Sequence, residues 1–169
     1  MEQLNFFTHD ESEKNRTICT EPDVLKLYTD GASRNNPGPS AVGFCLKSGE
    51  TIVCEQGFYI GTKTNNQAEY MALLVGIFFA REFVKPTDKI AVFSDSQLLV
   101  RQMNKQYKVK DVQLQKLQMI AYELLCGYTY SFCHIYRKDN MRADELANRG
   151  LDKKIPLPKK FLDLLSQYA

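Results

Sequence analysis

Residues 24–60, VLKLYTDGASRNNPGPSAVGFCLKSGETIVCEQGFYI, decide the fold. Val24 to Thr29 is a short apolar, β-favouring run that stops at Asp30-Gly31. Ser33 to Pro39 follows, dense in Asn, Pro and Gly, which predicts a loop. Ala41 to Lys47 and Thr51 to Ile60 read as two strands joined at Ser48-Gly49-Glu50, a hairpin. The period then changes. Residues 65–83, NNQAEYMALLVGIFFAREF, are apolar nearly all round, which predicts a helix buried against a sheet with Asn65 as its N-cap.

Further outward, Lys89 to Ser94 is a strand ending at Asp95. Ser96 to Asn104 is a short helix, and Asp111 to Cys126 a longer one with Leu114, Leu117, Ala121 and Leu124 at helical spacing. Tyr128 to Tyr136 is a last strand and Met141 to Arg149 a helix. An early hairpin followed by crossovers predicts an α/β fold, a five-stranded mixed sheet with helices on both faces. Residues 1–22 are polar, without sustained period, and read as a flexible extension. The expected organisation is that extension, a domain over residues 23–150, and a tail over residues 151–169 carrying a short amphipathic helix from Phe161.

Composition narrows the class without naming an activity. The chain has 169 residues, 44% hydrophobic and 25% charged, the make-up of a soluble globular domain. Twenty-two basic and twenty acidic side chains leave a net charge of +2, so nucleic acid would need a local basic patch. No apolar stretch nears the roughly 20 residues of a membrane span, and no secretory signal opens the chain. A cytoplasmic protein is expected. The five cysteines (Cys19, Cys45, Cys54, Cys126, Cys133) have no metal-ligand spacing and read as reduced packing thiols, with Cys45–Cys54 and Cys126–Cys133 left as alternative bridges.

Four carboxylates stand out. Asp30 and Asp95 each end a strand; taken singly, each serves equally as a turn or helix cap. In adjacent strands, however, they would lie side by side at one sheet edge, where two carboxylates raise a pKa or demand a cation. Glu69 lies one turn into an apolar helix, on a face shared with Leu73 and Gly76, and so points toward protein. Asp144 sits near the start of the last helix. Either could instead complement a helix dipole. Together the four offer an oxygen-rich site for a hard cation such as Mg²⁺ or Mn²⁺, and two such ions can clamp the attacking and leaving oxygens of a phosphodiester.

The residues flanking these carboxylates carry a resemblance. Thr29-Asp30-Gly31-Ala32-Ser33 with Asn36-Pro37-Gly38-Pro39 resembles the opening motif of the type 1 ribonuclease H family. Residues 64–72 (TNNQAEYMA), Ser94-Asp95-Ser96-Gln97, and Asn140 with Arg142 to Ala147 resemble its second, third and fourth motifs, in order over Val24 to Gly150. The resemblance implies the ribonuclease H-like fold and hydrolysis of the RNA strand of RNA–DNA hybrids with two Mg²⁺, or Mn²⁺ as substitute, leaving 5′-phosphate and 3′-hydroxyl ends. It implies Asp30 as the carboxylate shared by both ions, Asp95 with the ion activating water, and Glu69 and Asp144 with the ion at the leaving oxygen. Asn36, Asn66 and Gln67 match positions that touch the hybrid. Amides there can donate to and accept from a 2′-hydroxyl, the group that distinguishes RNA. Double-stranded RNA is a second duplex the resemblance leaves open, and a monomer is expected.

The chain departs from the family in two places. His134 to Asn140 runs straight on where bacterial members carry a histidine-bearing loop, so the chain resembles the shorter subgroup without that histidine. His134 reads as a packed or edge residue, and Arg137 or Lys138 offers compensating charge. The basic protrusion of some members is also missing. Lys105, Lys108 and Lys110, near Arg101, Lys116 and Tyr107, form either a solvated face or a grip on the DNA strand's phosphates. Rival readings are an inactive hybrid-binding protein, another nuclease or a transposase of the wider superfamily, and a ribonuclease H segment of a reverse transcriptase. The four carboxylates, the Asn65-Asn66-Gln67 motif and the start Met speak against them in turn.

Overall fold

A computed structural model describes residues 23–169 apart from Pro86. The expected extension over residues 1–22, with Cys19 and His9, lies outside the described residues. The chain forms β1 (Val24–Ser33), β2 (Gly38–Ser48), β3 (Thr51–Lys63), α1 (Asn65–Ala80), β4 (Lys89–Ser94), α2 (Gln97–Met103), α3 (Val112–Leu124), β5 (Thr129–His134), α4 (Met141–Lys153) and α5 (Lys159–Ser166), with one 3-10 turn at Arg137–Asp139. The five-stranded sheet has the order β3-β2-β1-β4-β5. β2 is antiparallel to β1 and β3, while β1, β4 and β5 run parallel. This is the mixed α/β sheet that the strand and helix order predicts.

The pleat of β1 assigns the faces. Leu25, Leu27 and Thr29 are buried in alternation, and a Cβ at Gly76 of α1 would press on Leu27 and Thr29. α1 therefore covers this face, with Leu73, Leu74 and Ile77 fully buried and α3 packed on its outer side. Each such side chain contributes roughly 1.5–3 kcal/mol by leaving water. The opposite face belongs to α4, which approaches so closely that a Cβ at Gly43 would strike the backbone of Ala143 and Ala147. One at Gly57 would strike Leu146. Asp30 pairs with Gly43 across the antiparallel ladder and so shares the α4 face.

Several boundaries differ from expectation for local reasons. β1 does not stop at Asp30: its parallel ladder with β4 ends at Thr29↔Ser94, but its antiparallel ladder with β2 continues to Ser33↔Ser40. Asp30 lies where the two ladders part. The N-cap of α1 is Thr64, not Asn65: Thr64 Oγ1 accepts from Gln67 N at 3.2 Å and Gln67 Oε1 accepts from Thr64 N at 3.0 Å. α1 ends at Ala80, and residues 81–83 form turns closed on Ile77, Phe79 and Ala80 carbonyls. β5 is shorter than expected, and α4 runs past Gly150 to Lys153. Beyond it, Tyr59 N donates to Ile155 O at 2.7 Å, and Phe161 of α5 is fully buried against Phe78. The four described cysteines are free. No described helix is long and apolar enough to cross a membrane.

Candidate active site

Three elements meet where the β1–β4 ladder ends. Asp30 and Asp95 are the next residues after the last pair, Thr29↔Ser94, and therefore neighbours on adjacent parallel strands. Glu69 arrives from the α1 face. Gly31 makes this possible, because any Cβ there would collide with the backbone of Ala68 and Glu69. Oxygens of Asp30, Glu69 and Asp95 lie within 4.8 Å of one another. Asp144 comes from the α4 face and lines the same cleft, of about 330 Å³. Two helices on opposite faces and two adjacent strands thus deliver the four carboxylates to one end of the sheet.

The electrostatics follow from that convergence. Asp30 is 6% exposed, and burial, then the charges of Asp95 and Asp144, push its pKa up from 3.8 to about 7. A hydrogen bond with Asp95 further favours the protonated acid, while Arg137 opposes it. Glu69 is raised well above the usual carboxylate range by burial and then by Asp30 and Asp95; a bond from the Gly31 backbone acts against this. Glu69 Oε2 is buried without a partner. A site with crowded carboxylates and an orphaned acceptor calls for positive charge. Its donors are all carboxylate oxygens, which suits a hard divalent cation rather than a thiophilic one.

Two residues without a firm assignment from sequence complete the site. Asn140, 1% exposed, donates through Nδ2 to Thr29 O and to Asp95 Oδ1, both at 2.9 Å. It fixes the Asp95 carboxylate from the turn before α4. Its place in the fourth motif was the available signal, but nothing local says that the amide crosses to β1 and β4. Arg137 Nη2 donates to Asp144 Oδ1 at 3.0 Å, so Asp144 faces a guanidinium while the other three carboxylates face one another. Of the two cations considered from sequence, Arg137 lines the cleft and Lys138 does not. His134 is exposed at the end of the edge strand β5, near Tyr136 and outside the cleft lining.

The amides flank the N-terminus of α1. Asn36 Oδ1 accepts from Asn65 N at 3.0 Å, tying the loop after β1 to the helix. Asn66 is exposed beside Glu69 and Ser96, and Gln67 has its carbonyl engaged in the α1 cap. Lys105, Lys108 and Lys110 are exposed on the connection from α2 to α3. Lys105 Nζ lies 5.5 Å from the Tyr122 ring centre, and Arg101 stacks on Tyr107 and bonds its hydroxyl. Since only the N-cap Ser96 separates Asp95 from α2, the helix leads from the acidic cluster to these cations.

Residues 28–150 match the model of a family described as "Reverse transcriptase-like". The chain is 46% identical over 141 residues to a ribonuclease HI of Halobacterium salinarum, covering 80% of this chain and 70% of that protein. It spans 35% of each of three mycobacterial relatives that are 36% identical. The crystal structure of RNase H1 from Halobacterium salinarum superposes with a TM-score of 0.73 at 45% identity, covering 77% of this chain and 98% of that one. LC11-RNase H1, solved in complex with an RNA/DNA hybrid, gives 0.73 at 36% identity, covering 76% and 97%.

Proposed function

The chain belongs to the type 1 ribonuclease H family, and on that premise we propose that it hydrolyses the RNA strand of RNA–DNA hybrids, leaving 5′-phosphate and 3′-hydroxyl ends. The observation that carries this is the convergence of Asp30, Glu69 and Asp95, with Glu69 Oε2 buried and unpartnered, in one cleft with Asp144. These four would hold two Mg²⁺ ions, which when bound supply an activated water and stabilise charge on the leaving oxygen. The rest is done by the protein's own side chains. Asn140 holds Asp95 in one orientation, and Arg137 orients Asp144 and moderates the proton affinity of Asp30. Asn36, Asn66 and Gln67, around the α1 N-terminus, offer amides to the minor-groove 2′-hydroxyls that mark an RNA strand.

A substrate panel tests the proposal. A labelled RNA–DNA hybrid, double-stranded RNA and double-stranded DNA are incubated with Mg²⁺ or Mn²⁺ and with chelator. The hybrid is expected to be cut within its RNA strand only when divalent cation is present, and the DNA duplex to stay intact. Hybrid binding without cleavage under every cation would instead assign a binding protein. In the same assay, replacing Lys105, Lys108 and Lys110 together by Gln is expected to weaken hybrid binding. The slope of log affinity against log salt should fall by up to about 2–3 in the triple variant. An unchanged slope would show the three lysines to be merely solvated.

A further inference from the structure

Arg34 is a cation built into the acidic cleft for which the proposed chemistry has no use. It shares the cleft wall with Asp30, Glu69 and Asp95. Its backbone is fixed: Arg34 N donates to Pro39 O at 2.9 Å, Ser33 Oγ to Lys63 O at 3.1 Å, and Asn36 ties the same turn to α1. From this anchored turn the side chain spans the cleft rim, where Nη2 donates to Asp152 Oδ1 near the end of α4. Both partners are more than half exposed, 59% and 58%. A pair so open to water adds little to stability. Nor does α4 need it as a strap, because the helix is already seated on Gly43 and Gly57.

What the pair does supply is a guanidinium held outstretched by an anion. A planar guanidinium that donates to a carboxylate can donate to a phosphate through the same fork of N–H groups. We infer that Arg34 exchanges Asp152 for a backbone phosphate of the cleaved strand, beside the scissile one; this rests on the hybrid-cleaving function proposed above. The cleft that must receive the scissile phosphodiester at the carboxylates has Arg34 on its wall, so the strand that reaches the acids passes the guanidinium. Asp152 stands in for the phosphate in the free protein and competes with it. Arg34 thereby offsets part of the repulsion a phosphate meets on approaching four carboxylates.

The two partners therefore have opposite effects on substrate affinity. Arg34→Gln is expected to raise KM and the hybrid dissociation constant about tenfold, with kcat within about twofold, and to lower the salt slope by about one. Asp152→Asn removes the competitor and is expected to tighten binding about two- to threefold, with the slope preserved. A purely structural bridge predicts that both variants weaken binding alike, because either change breaks it. Same-direction shifts, or no change in Arg34→Gln, would overturn the inference. Affinity is measured alongside cleavage, using a fluorescent hybrid. A parent protein that binds without cutting refutes the hydrolytic reading alone, whereas the two variants decide the role of Arg34.

Discussion

Asp30→Asn is expected to lower hybrid cleavage by about three orders of magnitude or more, the scale of removing one preorganised charge from a reacting centre. The substitution keeps size and shape, so packing between β1 and α4 is retained. It removes a buried carboxylate of the cluster, the one that both Asp95 and Asp144 act upon. Single-turnover cleavage of a labelled hybrid with Mg²⁺ checks it, with circular dichroism as the control for folding. Activity within tenfold of the parent would place the chemistry elsewhere. Asp144 should be the more tolerant position, since Arg137 already balances it and it stands outside the tight triad.

The expected loss concerns a residue that the sequence exposes well, and the reason is physical. Asp30 and Asp95 follow runs of β-favouring residues, and any pairing of those runs in parallel brings both acids to one edge. Glu69 is legible as an anomaly, an acid in a helix otherwise apolar. That it meets Asp30 depends on Gly31, whose missing side chain lets α1 touch β1; the periodicity of α1 carries no trace of this. Asn140 was harder still. Its bonds reach Thr29 and Asp95, 111 and 45 residues away, and an amide before a helix looks like a cap whatever it does. The continuation of β1 to Ser33 was hidden because turn residues fill that stretch, and only pairing with β2 makes it a strand. Asn65 is the better cap by type, and the reciprocal bonds with Gln67 decide for Thr64 instead. The ion pairs Arg34–Asp152 and Arg137–Asp144 join segments through surface geometry, for which no sequence pattern exists.

The same Asp30→Asn variant is expected to be more stable than the parent when divalent cations are removed, and increasingly so as pH rises. Folding raises the Asp30 pKa from 3.8 to about 7, so the folded state binds this proton more tightly than the unfolded chain does. Below pH 4 both states carry the proton and the group costs nothing. Between pH 4 and 7 the unfolded chain gives up its proton first, and folded stability falls. Above pH 7 the cost is complete, at most about 4 kcal/mol for a displacement of that size. Asn bears no charge and escapes it. The melting temperature of the variant in chelator should therefore match the parent's near pH 4 and exceed it by about 5–10 °C near pH 8. Added Mg²⁺ should close the gap by stabilising the parent in proportion to its occupancy. A gap that does not vary with pH, or a variant less stable than the parent at pH 8, would mean that Asp30 is already compensated within the protein. Its crowding with Glu69 and Asp95 would then be no argument for a cation. An acid that weakens the fold while empty is held there by what it does when filled, and opposite signs for activity and stability in one variant are the signature of that trade.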